Sequence, residues 1–145
     1  MIPRQAIAEA NRSIRGALSQ AWKNYEVDMD KAYRIYMSAE DNALKNLEES
    51  KRIAIKTRDN SISDAWKLYR HTTATSEEKG TWTTYEDAKL IATRECDKAL
   101  DYAEAAFANA DARAEDEFKK TKDIVQATYK EDLTNAVDSF FGAHP

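Results

Sequence analysis

The side chains best suited to chemistry in this chain are few and scattered. It has two histidines, His71 and His144, and a single cysteine, Cys96. A carboxylate-bridged metal centre in a helical bundle takes Glu-x-x-His pairs on facing helices. Neither histidine has a glutamate three residues before it, so no metal site is expected. Hydrolytic triads fail for the same shortage of placed histidine, and no glycine-rich loop is present to cradle a phosphate. Cys96 has no partner for an intramolecular disulfide and reads as a small apolar core residue rather than a reactive thiol. These residues point away from an enzyme. No catalytic residue, cofactor, metal ion or small-molecule substrate is expected.

One set of charges is placed regularly: Arg12, Lys23, Arg34, Lys45, Lys56 and Lys67, each eleven residues from the next. Such a column is either a rail for phosphates or lipid headgroups, or an edge whose stems cover a core and whose heads meet acids on a neighbouring helix. Residues 1–75 hold 13 bases and 10 acids, net +3, and residues 76–145 hold 9 and 16, net −7. Opposite charge on the two arms favours pairing between helices. The net charge of −4 and pI near 5.3 argue against nucleic acid as a partner and disfavour an anionic membrane.

The elements that carry this column follow from what stands beside it. Ala10, Ala21, Ala32, Ala43, Ala54 and Ala65 recur every eleven residues. Next to them stand Trp22, Tyr33, Leu44, Ile55 and Trp66. Three further on come Tyr25, Tyr36, Leu47, Arg58 and Tyr69, and four beyond those Met29, Glu40, Lys51 and Ile62. Steps of three and four make one stripe on one helix face. Glu40, Lys51 and Arg58 interrupt it and read as polar layers that set register while their ends reach water.

The second half repeats in its own frame. Ala88, Ala99 and Ala110 lead; Ala92, Ala103, Ala114, Val125 and Ala136 follow four on; Cys96, Phe107, Phe118, Tyr129 and Phe140 come four beyond those. Eleven residues in three turns lead an ideal helix by about 20°, so this period asks for straight or right-handed packing rather than a left-handed supercoil.

The eleven-residue period resembles that of late-embryogenesis proteins, synucleins and exchangeable apolipoproteins, which lie on lipid. It also resembles the alanine-rich registers of right-handed coiled coils in ATP-synthase stalks and archaeal surface-layer stalks. The likeness is of period, not of motif. Bulky residues held to single columns suit protein–protein packing better than a lipid surface.

Composition agrees with long helices. The chain has 145 residues, 33% charged, with 3 glycines and 2 prolines, Pro3 and Pro145, at its ends. Periodically placed aromatics separate it from disordered chains of similar charge. Residues 71–87 form the one Thr/Ser/Gly-rich stretch and the expected turn, with Gly80 in the loop and Thr83 with Glu86 as a capping box. Thr75 with Glu78 is a rival start. Gly142 is expected to end the second helix. Thr57–Ser63 are poor helix formers, yet the alanine phase continues across them, which predicts one unbroken helix.

The expectation is therefore all-α: one elongated helical domain over 1–145, with helix one at about 4–72, a turn at about 73–82 and helix two at about 83–140. Folded antiparallel, residue i meets roughly 154 − i over a length of ~100 Å. Tyr102, Leu100, Ile91, Leu90 and Ile35 lie beside the stripes, so hairpins are expected to pair as a homodimeric four-helix bundle or to build a filament. Trp82 falls outside the registers and either closes the hairpin's end or stands exposed at its tip.

The expected function is that of a self-associating scaffold, spacer or filament subunit. A reversible lipid coat, or a bundle carrying a small apolar ligand, is the alternative. The N-terminal stretch has no apolar h-region and no apolar run reaches ~20 residues, so the cytoplasm is the default compartment.

Overall fold

The computed structural model describes residues 3–75 and 79–142. They form two helices, α1 at Arg4–Thr75 and α2 at Lys79–Gly142, which pack against each other as a hairpin. The Pro3 carbonyl accepts from Ala6 N at 3.0 Å and Ile7 N at 3.2 Å, so the proline opens α1 where its missing N–H costs nothing. No helix among the described residues is long and apolar enough to cross a membrane.

α1 runs unbroken through Thr57–Ser63. Ala54 before this run is buried, and Arg58 and Ile62 within it are half-buried, so the contact face keeps its phase across weak helix formers. Elsewhere in the helices threonine hydroxyls donate to the carbonyl four residues back. Thr72 donates to Leu68 at 2.7 Å, Thr93 to Lys89 at 2.9 Å and Thr134 to Lys130 at 3.0 Å.

The turn is shorter than the sequence suggests. α1 continues to Thr75 and α2 starts at Lys79, so Gly80 belongs to the first turn of α2 and Thr83 with Glu86 sits inside the helix rather than capping it. The reason is aromatic packing. Trp82 lies 5.3 Å from Tyr69 and Tyr85 lies 5.4 Å from Trp66, between ring centroids. The rings shield part of one another across the turn, while Trp82 and Trp66 stay 47% and 41% exposed. Glu78, the partner in the rival cap with Thr75, lies outside the described residues. Gly142 is the last residue of α2.

The contacts divide the chain into two compact units, residues 1–39 with 113–145, and residues 40–112. In the first, Ala21 and Ala32 of α1 and Ala114, Val125 and Ala136 of α2 are all buried. In the second, Ala43 and Ala54 are buried with Ala92, Cys96 and Ala103. Alanine at the contact lets helix axes approach closely, and larger side chains then fill the two flanks.

Candidate interaction surface

Each unit is laced by cross-helix pairs. In the first, Tyr25 meets Tyr129 with ring centroids 4.9 Å apart, and Tyr36 meets Phe118 at 5.1 Å. Trp22 and Tyr33 reach the same partners edge-on, at 5.8 Å and 6.4 Å. In the second, Tyr69 meets Tyr85 at 5.9 Å, and Lys51 Nζ bonds Glu104 Oε1 at 2.7 Å. The three tilted cross-helix pairs, Tyr25 with Tyr129, Tyr36 with Phe118 and Tyr69 with Tyr85, all have residue numbers that add to 154.

Leu47 with Phe107, and Arg58 with Cys96, have the same sum. Leu47, Phe107 and Arg58 are half-buried and Cys96 is 4% exposed. Met29, Ile62 and Phe140 are half-buried as well. The interrupting polar residues Glu40, Lys51 and Arg58 sit at the same half-buried depth, and one carboxylate oxygen of Glu40, Oε1, is buried. Arg58 Nε bonds the neighbouring Asp59 at 3.1 Å.

The large column differs from the sequence expectation. Trp22, Tyr33, Leu44, Ile55 and Trp66 are exposed, each by two-fifths or more. The alanine that precedes each of the first four is buried instead, Ala32 most deeply at 3%. A single partner helix covers only part of an apolar stripe, and the alanine side lies under α2. On α2, Ala88 and Ala110 are half-buried while Ala99 is exposed.

Charge pairing also differs. Arg34 bonds Asp30 on its own helix at 2.9 Å instead of an acid on α2. Arg52 grips Glu49 with a two-pronged contact, Nη2 to Oε1 at 2.6 Å and Nε to Oε2 at 3.0 Å. Lys120 pairs with Asp116 at 3.0 Å. The hydrogen bond and charge of Arg52 hold the Glu49 carboxyl below its ordinary range, and Asp116 raises Lys120 in the same way. An i, i+3 or i, i+4 partner is always within reach, whereas a cross-helix partner depends on the flank geometry.

An open stretch lies in the second unit, around Arg58 and Cys96. With no ring pair there, small residues on both helices leave an open groove of about 790 Å³. Its floor is Ala54, Ala92, Cys96, Ala99 and Ala103, and its rim carries Ile53, Ile91 and Tyr102. A smaller hollow of about 450 Å³ in the first unit lies between Ala10, Ile14 and Ala17 of α1 and Ala136 and Phe140 of α2. The groove was not visible in the stripes. Ile53 belongs to no eleven-residue column, and a hollow is a property of two helices together.

No family model matches this sequence, and neither curated proteins nor solved structures gave a match.

Proposed function

We propose that this chain is a non-enzymatic structural protein, a helical hairpin that self-associates as a scaffold, spacer or filament subunit. The reading includes an eleven-residue coiled-coil seam, packed straight or right-handed, with hairpins pairing into a four-helix bundle. One observation carries it. No large side chain among the described residues is fully buried, and the buried set is alanine, cysteine and valine. Most of the chain's large apolar residues therefore stand on flanks that a second helical layer would cover.

Sedimentation equilibrium combined with small-angle scattering tests the proposal. A mass of at least two chains with elongated scattering is expected. A monomer at every concentration, or a compact globule, would sink it. Circular dichroism separates the lipid-coat alternative, since a coat gains helix on vesicles whereas a self-associating bundle is helical before lipid is added.

A further inference from the structure

The groove of the second unit has a ridge and a hollow on one face. Ile53, Ile91 and Tyr102 on its rim are 51%, 59% and 79% exposed, and the floor between them is made of small residues. A face of this kind can be filled by another copy of itself, with each rim entering the other's hollow. We propose that a second copy of this chain covers the groove, related by a twofold axis parallel to the helices, so that α1 of each copy lies over α2 of the other. The inference rests on the self-association reading and adds the face and the orientation.

Register selects that axis. Within the hairpin, Ile53 is level with residue 101 and Arg58 with residue 96, by the 154 rule seen at Tyr69 and Tyr85 of the same unit. A twofold parallel to the helices keeps these levels. It sets Ile53 over the partner's Tyr102 and Arg58 over the partner's Glu95, each contact made twice. Glu95 and Arg58 both line the groove, and each has so far only an intrahelical pair, Glu95 with Lys98 at 3.8 Å and Arg58 with Asp59.

Charge agrees with the same axis. In this unit, residues 40–75 carry 7 bases against 6 acids, and residues 79–112 carry 4 against 7. Crossing α1 over the partner's α2 therefore opposes net +1 to net −3. A twofold across the helices would instead stack the two acidic segments. An alkyl chain in the groove would make no use of the Arg58 and Glu95 charges.

The area is sufficient. The α2 residues that line the groove run from Ala88 to Ala106, a helical stretch of ~28 Å, and two helices side by side span ~20 Å. That is roughly 550 Å² per copy, about the 1,000 Å² in total that a specific interface needs.

Cysteine cross-linking of the full-length chain tests the orientation. In a C96A background that keeps its helical circular dichroism, I53C and Y102C chains are prepared separately and then mixed in a glutathione redox buffer. A disulfide-linked dimer is expected in the mixture and not from either chain alone. Cross-linking of Y102C chains with themselves would put the twofold across the helices and overturn the inference while leaving self-association intact. No link in the mixture, with a dimer mass in sedimentation, would place the interface on another face. A monomer at all concentrations would remove the inference and the proposed function together, as would a monomer carrying an apolar ligand in native mass spectrometry. In the otherwise native chain, Y102A is expected to weaken dimerisation at least tenfold at unchanged helicity. Tyr102 is too exposed in the single chain for its loss to unfold it, so unchanged dimerisation would count against the proposed face.

Discussion

Lys51 Nζ sits 2.7 Å from Glu104 Oε1 and ties α1 to α2 at a level where the stripe would otherwise hold an apolar residue. Both side chains remain partly open to solvent, 38% and 63% exposed, so the pair is worth about 0–1 kcal/mol. Its larger effect is expected to be on which residues face each other. Leucine at both interrupted positions, K51L with R58L, is expected to raise the melting temperature, because two half-buried apolar side chains replace two charged ones. The same variant should spread into more than one oligomeric species in sedimentation velocity. A single unchanged species would show that these positions do not set register.

The ring pair of Tyr36 and Phe118 is expected to be energetically coupled. A double-mutant cycle of Y36A, F118A and the double variant should return about 0.5–1.5 kcal/mol by urea denaturation, the usual worth of such a pair beyond its buried area. A coupling near zero would mean the rings merely share a flank.

Ala43 tests how close the helices must lie. It is buried at the contact, so A43L should overpack it and cost about 1–3 kcal/mol. The same change at exposed Ala105, A105L, should move stability by under ~0.5 kcal/mol. Equal effects at the two positions would contradict the close approach.

Gly16 lies inside α1, and a Cβ built on it would meet nothing within 4 Å. G16A should therefore stabilise the chain by about 0.5–1 kcal/mol through lower unfolded-state entropy and better helix propensity. A loss of stability in thermal melts would show that this segment does not hold its helical form in solution.

Glu49 gives a pH signature. Arg52 lowers its pKa, so the pair contributes fully above the ordinary glutamate range and is lost as pH falls through the lowered value. Carboxyl NMR should find Glu49 titrating below the ordinary glutamate value, and R52A should remove that lowering.

Part of this protein is determined along the chain. The steps of three and four from Tyr25 to Tyr36 and from Phe118 to Tyr129, together with the Thr/Ser/Gly-rich stretch at 71–87, are enough to derive two helices. They also place Tyr36 opposite Phe118, because pairing in a hairpin depends only on index once the turn is located. The unbroken α1 across Thr57–Ser63 was legible for the same reason: Ala54 and Ala65 keep phase across it.

Other features were decided only by the two helices together. An apolar stripe records which residues avoid water but not where along its width a neighbour will lie. α2 settled over Ala32 and Ala43 and left Tyr33 and Leu44 open, since alanine permits the closest backbone approach. The helix ends moved to Thr75 and Lys79 because Trp82 and Tyr85 found Tyr69 and Trp66 across the turn, a gain that no local capping signal records. The groove at Arg58 and Cys96 has the same origin. Each helix alone shows an ordinary small or polar residue there, and the empty volume exists only between the two.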